Sequence, residues 1–356
     1  MPKTKIITTI GPSSLSNETL NFFKEHSVEY ARLNFSHSAS DWHIDAGNKC
    51  RQFGLSLLMD LGGPKIRLGI LHEDTKLKTN SECVLELSNE SKSYPYKLST
   101  GEIVLPIAVD VSKALAEGRF VLVDDGKLKL EVLKVESGLV FCKVLSGGIF
   151  KSRKGVNLPK SSLDISFLTD RDKQMIKDTL KHLKPEVVAC SFVKSAKDIE
   201  QMKDYIAQVI KEDEIDPNYF PKICAKLEQH EVFADNNLEE LVQVCDLIMI
   251  ARGDLALEVT PAHIILPFLQ EKIERACRKY NKPFVVATQI LESMIDCPVP
   301  TRAEVSDLYR AVVLDQADYI MLSGESAMGN YPIECVTLMH SMIRDSHTFN
   351  SEILDK

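Results

Sequence analysis

The 356-residue chain is 44% hydrophobic and 26% charged, the balance of an ordinary globular protein long enough for two domains. Its formal net charge of −8 argues against general affinity for nucleic acid or for an anionic membrane surface. No apolar run approaches the ~18 residues of a membrane span, and the opening MPKTKIITTIGPSS lacks the long apolar core of a signal peptide. Nine cysteines are scattered from Cys50 to Cys335 without a C-x-x-C pair, which reads as reduced thiols in a cytoplasmic protein.

Short β-rich runs punctuate the chain: TKIITTI (4–10), VEYARLN (28–34), LSLLMD (55–60), EVVACSF (186–192), KICAKL (222–227), DLIMIA (246–251), FVVAT (284–288) and YIMLS (319–323). Their near-continuous apolar character fits parallel strands covered on both faces. Helical spacing separates most of them. The clearest case is 195–213, where Ile199, Met202, Ile206, Val209 and Ile210 oppose Lys203 and Lys211. Helices are also predicted over 169–184, 262–281, 302–315 and from about 331. Eight such alternations with right-handed crossovers predict a closed (β/α)₈ TIM barrel.

One connection interrupts the rhythm. Residues 69–153 show strand-like alternation and turn signals such as Asp124-Asp125-Gly126 and Gly147-Gly148. They read as a small all-β lid domain inserted after the third strand, leaving 1–68 and 154–356 for the barrel, close to the ~250 residues typical of that fold. An open doubly wound sheet would alternate in the same way. It would normally carry a glycine-rich phosphate turn, and neither G-x-G-x-x-G nor G-x-x-x-x-G-K-[ST] occurs.

Chemistry in a barrel sits at the C-terminal strand ends, and here those ends are polar. They carry Arg32, Asn34 and Ser36, then Asp60, then Ser191, then Lys226 and Glu228, then Arg252 and Asp254, then Thr288 and Glu292, then Ser323 and Glu325. Any one of these is more often a cap or turn residue. Seven successive strands delivering such groups to one rim is hard to assign to capping. Lys226/Glu228 and Arg252/Asp254 repeat a cation two residues before an acid, and alternate residues of a strand share a face. Neighbouring strands would let Glu228 and Asp254 grip one Mg²⁺ (or Mn²⁺), with both cations turned to an anionic substrate.

KIITTIGPSS, ARLNFSHS, DLGGPKIR, KGVNLP, AKLEQHE, IMIARGDL, ATQILESM, PTRAEVSD and IMLSGES resemble the signature segments of pyruvate kinase, in that family's order, from about residue 4 to 345. The resemblance implies a barrel interrupted after its third strand by a β domain. It also implies transfer of the phosphoryl group of phosphoenolpyruvate to ADP, giving pyruvate and ATP. On it, Glu228 and Asp254 hold Mg²⁺, Lys226 meets charge on the bridging oxygen, and Arg32 with Arg67 holds the phosphoryl oxygens. Ser191, Gly253, Asp254 and Thr288 line the substrate, while Thr288 and Ser323 belong to the proton relay. Asn34, His37, Lys154 and Asp124 or Asp125 face the nucleotide. Asn34, Ser36 and Asp60 match the family's K⁺ site, but Leu61 and Lys65 replace its Thr and Glu, so that Lys65 stands in for K⁺ and the ion is not required.

The chain departs from the family pattern at Ala256, Lys160, Arg310 and Ser326, and by two residues inserted after AKLEQHE. It also stops after the eighth helix, where most members continue into an effector-binding domain. A monomer or homodimer is expected rather than the family tetramer. Two other readings stand beside the enzyme: a non-catalytic binding or regulatory homologue, and a Mg²⁺-dependent carbon–carbon lyase working through the same pyruvate enolate.

Overall fold

A computed structural model describes residues 4–161, 165–259 and 264–354. Eight parallel strands close into a barrel: β1 (Lys5–Thr9), β2 (Val28–Asn34), β3 (Ser56–Asp60), β4 (Val187–Cys190), β5 (Lys222–Leu227), β6 (Leu247–Ala251), β7 (Phe284–Ala287) and β8 (Tyr319–Leu322). Each of the eight expected runs is a strand. The seam closes where β1 pairs with β8, Ile6 opposite Ile320 and Ile7 opposite Met321. Inward residues from alternating positions, Ile7, Leu58, Val187, Ala189, Met249, Val285 and Met321 among them, fill the barrel. The interior is therefore a packed core, which confines chemistry to the strand ends.

Ten helices are described: α1 (Asn17–Glu25), α2 (Ser40–Gln52), α3 (Asp170–Leu183), α4 (Ala196–Glu212), α5 (Asn237–Val244), α6 (Arg252–Glu258), α7 (Leu266–Lys279), α8 (Arg302–Tyr309), α9 (Gly324–Ala327) and α10 (Pro332–Leu354). Their starts follow from local chemistry. Ser16 and Thr169 accept the N–H groups of Thr19 and Asp172, and Ser195 with Asp198 and Thr301 with Glu304 form reciprocal capping boxes. Two helices differ from expectation. The one expected over 302–315 is α-helical only to Tyr309, after which Arg310–Leu314 forms a π-helical turn. The one expected over 262–281 starts at Leu266, and 262–263 lie outside the described residues.

The chain folds as two compact units. The first, Met1–Gly63, Phe167–Arg252 and Phe268–Lys356, contains the barrel. The second joins Pro64–Ser166 to Gly253–Pro267. It holds a seven-stranded, largely antiparallel sheet around Val84, Leu105, Val121, Leu130, Val140 and Val144. Asp124 and Asp125 both adopt left-handed backbone (φ 52° and 55°) and, with Gly126, turn Phe120–Val123 into Leu128–Glu136. Short polar Asp side chains tolerate that conformation. Among the described residues no helix is long and apolar enough to cross a membrane, and eight of the nine free cysteines are buried.

Candidate active site

The barrel unit gathers five of the expected residues, Arg32, Asp60, Ser191, Lys226 and Glu228, into one buried cluster. Arg32, at the end of β2, donates from Nε to Asp60 Oδ2 at 2.6 Å and from a terminal nitrogen to Thr9 Oγ1 at 2.6 Å. Lys226 Nζ lies 3.1 Å from Asp60 Oδ1, 2.9 Å from Glu228 Oε1 and 2.6 Å from Ser191 Oγ. Glu228 Oε2 accepts the N–H of Phe192 at 2.7 Å. Asp60 is only 1% exposed and Glu228 2%. Two cations and two carboxylates thus neutralise each other out of water, the condition under which buried charge is tolerated.

Burial alone would raise the Asp60 carboxyl, but Lys226 and Arg32 outweigh it and hold it below the ordinary carboxylate range. Burial likewise would lower the Lys226 ammonium, yet Asp60 and Glu228 raise it above its usual value. Both shifts favour the charged forms of Asp60 and Lys226. Lys226 and Glu228 lie on one side of the chain, as the alternation of a strand end requires.

The second cation–acid pair does not follow that rule. β6 ends at Ala251 and α6 starts at Arg252, so Arg252 and Asp254 are related by about 200° of helical rotation. Arg252 is buried against Asp307, with NH1 donating to both carboxylate oxygens at 2.9 and 2.7 Å. It is no substrate-facing cation. Asp254, which belongs to the second unit, carries the Lys65 ammonium at 2.8 and 3.0 Å from its two oxygens. Asn157 joins the set, donating to Glu258 Oε1 at 2.9 Å and lying 3.4 Å from Asp254 Oδ1.

Others of the expected residues make local contacts. Asn34 Oδ1 accepts the Ser36 N–H at 3.1 Å, closing the turn after β2. The His37 carbonyl lies 2.8 Å from Nε2 of His43, a fully buried ring that burial lowers below the usual imidazole value. It is therefore neutral and donates from that nitrogen. In the second unit Lys154 pairs with Asp124 at 2.8 Å, and Lys154 with Lys127 outweighs burial to keep that carboxyl low. Asp125 is exposed beside it, and Arg67 donates to the Arg153 carbonyl at 3.1 Å. Thr288 has φ 68°, and the buried Ser323 hydroxyl has no partner.

Sequence reasoning missed four contributors: Asp172, Asp307, Asn157 and Glu258. Asp172 is buried and accepts the N–H of Gly62 at 3.1 Å, shaping the turn after β3. Its signal was present as the third residue after the Thr169 cap. Glu228 and Asp254 each offer carboxylate oxygens of the kind a hard cation takes, and each is paired with an ammonium within its own unit, Glu228 with Lys226 and Asp254 with Lys65. Among the described residues no three His, Cys, Asp or Glu side chains are grouped so as to hold a metal ion.

A family model described as the barrel domain of pyruvate kinase matches residues 1–336. A pyruvate kinase of Agrobacterium vitis is 36% identical over 362 residues, covering 99% of this chain and 70% of the relative. One from Hypocrea jecorina is 34% identical over 95% of the chain and 61% of its own length. Among solved structures, a pyruvate kinase from Cryptosporidium parvum superposes with a TM-score of 0.88 at 31% identity, covering 98% of this chain and 70% of that one.

Asp60→Asn leaves Arg32 and Lys226 short of a buried counter-charge and should cost about 3–5 kcal/mol near neutrality. A depressed carboxyl stabilises above its unfolded value of about 3.9 and loses that stabilisation as pH falls through the lower folded value. Urea titrations should show the gap between wild type and variant closing below about pH 4. A gap unchanged down to about pH 2 would contradict the assignment.

Proposed function

The chain belongs to the pyruvate kinase family, and we propose that it moves the phosphoryl group of phosphoenolpyruvate to a β-phosphate oxygen of ADP. The bond between phosphorus and the enol oxygen breaks, one to ADP forms, and the enolate left behind takes a proton at its terminal carbon. Phosphoryl transfer asks for alignment and charge stabilisation more than for a nucleophile on the protein. The observation that carries the reading is the shared grip of Asp60 on Arg32 and Lys226, which holds two cations rigid before any anion arrives.

In this reading Arg32 takes the phosphoryl oxygens, assisted by Arg67, and the Lys226 ammonium meets the charge developing on the bridging oxygen. Asp60 and Thr9 keep Arg32 from swinging away. The Ser191 hydroxyl and Glu228 fix Lys226 from two further directions. Thr288 and Ser323 serve proton delivery. Asn34, His37, Lys154 and Asp124 or Asp125 serve the nucleotide. Glu228 and Asp254 would hold Mg²⁺, which when bound supplies charge neutralisation and a template for substrate oxygens.

Lys65 is read as the reason K⁺ is dispensable. Its ammonium is tethered to the chain, so it supplies a monovalent positive charge with no ion to recruit. Its bidentate hold on Asp254 supports the view that this charge belongs to the metal-binding end of the site.

Two experiments test these roles. In a lactate-dehydrogenase-coupled assay with phosphoenolpyruvate, ADP and Mg²⁺, Lys226→Gln should lower kcat about 10²–10³-fold, the usual loss for one preorganised electrostatic contact. Its cooperative melt should persist at reduced stability. Wild-type turnover in that folded variant would remove Lys226 from the chemistry. Separately, the wild-type chain should turn over in K⁺-free buffer, whereas Lys65→Glu should lose about 10²-fold and recover on adding KCl. A strict K⁺ requirement of the wild type would refute the second role.

A further inference from the structure

Arg252 is an expensive residue to place where it sits. Its side chain is 8% exposed, and a buried guanidinium must have its donors matched. The matches come from one short stretch and one acid. Nε lies 3.3 Å from both the Ala287 and Thr288 carbonyls, and NH2 donates to Thr288 O at 2.7 Å and Gln289 O at 3.3 Å. NH1 takes both oxygens of Asp307. Three consecutive carbonyls at the end of β7 therefore converge on one planar fork, a geometry that a lysine cannot reproduce.

The backbone they belong to is strained. Thr288 and Gln289 are both left-handed, with φ 68° and 55°. For a β-branched residue this is an outlier costing about 1–3 kcal/mol, and such strain persists only where surrounding contacts over-determine it. A second clamp acts nearby with the opposite charge. The buried Glu325 carboxylate accepts the N–H groups of Leu291 at 3.2 Å and Ser323 at 2.7 Å. β7 and β8 run in parallel register, Ala287 opposite Met321, so Thr288 and Ser323 leave adjacent strand ends. The Ser323 hydroxyl, buried without a protein partner, is the kind of unsatisfied group that water or a reaction would use.

We propose that Arg252 is a positioning residue for proton delivery: its guanidinium pulls the Thr288 carbonyl inward and so aims the Thr288 hydroxyl at the enolate carbon. The role rests on the phosphoenolpyruvate reaction proposed above. In that step a C–H bond forms at the enolate terminus as a donor O–H bond breaks, and the donor is then reprotonated from solvent. Arg252 touches neither substrate nor proton. It acts through the backbone, where a shift of about 1 Å is enough to cost about 10²-fold. Asp307 completes the device by neutralising the guanidinium, which leaves the carbonyl-facing edges of the fork to the loop.

The test separates aiming from mere stability by using a second reaction of the same step: exchange of pyruvate methyl hydrogens into D₂O, followed by NMR with enzyme, ATP and Mg²⁺. Arg252→Lys should lower this exchange and kcat together by about 10–10²-fold, with KM for phosphoenolpyruvate changed less than about threefold. In a Thr288→Ala background the same substitution should cost less than about twofold more, because both variants disable one unit. Losses that multiply in the double variant, or exchange at the wild-type rate, would overturn the role. If Arg252→Lys does not fold, Asp307→Asn carries the same comparison, since it loosens the fork while leaving its carbonyl contacts. A wild-type enzyme that exchanges pyruvate hydrogens but fails to turn over phosphoenolpyruvate and ADP would refute the phosphoryl-transfer reading and leave the Arg252–Thr288 coupling measurable. A wild type silent in both assays would sink reaction and role alike.

Discussion

The site depends on a carboxylate that never touches solvent. Asp60 is pinned at the end of β3 between the guanidinium of Arg32 and the ammonium of Lys226. Burying it costs several kcal/mol of solvation, which only two close cations and good geometry can offset. The return is rigidity. Two positive groups from different strands share one carboxylate, so an anion of the kind proposed above would meet both already positioned. That preorganisation is the larger part of what electrostatic catalysis supplies. It also explains why removing either cation is no conservative act: the carboxylate would be stranded in a low-dielectric pocket.

The second acidic residue, Asp254, is governed by a change of periodicity. Had β6 continued two residues further, Arg252 and Asp254 would share a face, as Lys226 and Glu228 do. Instead the helix α6 starts at Arg252, and the two heads part. One result is that the cation becomes structural, committed to Asp307 and three carbonyls. The other is that the acid is left for Lys65, Asn157 and the second unit. A single strand-to-helix transition thus splits a motif that looks duplicated in the letters into a cation bound to Asp307 and an acid bound to Lys65.

Much of the barrel was legible because its signals are local. Near-continuous apolar runs, a capping Ser or Thr before each of α1, α3, α4 and α8, and polar residues where strands stop all follow from neighbours in sequence. That Lys226 and Glu228 share one side of the chain was legible for the same reason, since the alternation of β5 carries on just past its end. What escaped depends on partners far along the chain. Asp307 lies 55 positions from Arg252, and Asp172 lies 110 from Gly62. Asn157 lies 101 from Glu258. No periodicity announces such pairs. The π-helical turn at Arg310–Leu314 was missed because its apolar spacing is compatible with an α-helix, and what distinguishes it is a backbone bond spanning five residues, from the Asp315 N–H to the Arg310 carbonyl at 2.8 Å.

Lys65 sharpens what replacing a potassium ion would mean physically. A free ion responds to the whole local field and leaves when the field weakens. A tethered ammonium is directional, has three donors, and spends them on chosen acceptors. Here two of its contacts go to the two oxygens of Asp254 at 2.8 and 3.0 Å. Any divalent ion taking Asp254 as a ligand must therefore share that carboxylate with Lys65 or displace it. Sharing would leave the ammonium on the carboxylate, whereas displacement would free its donors for other acceptors. Either way the ammonium is tethered and cannot diffuse away from the chain, which an exchangeable ion cannot guarantee.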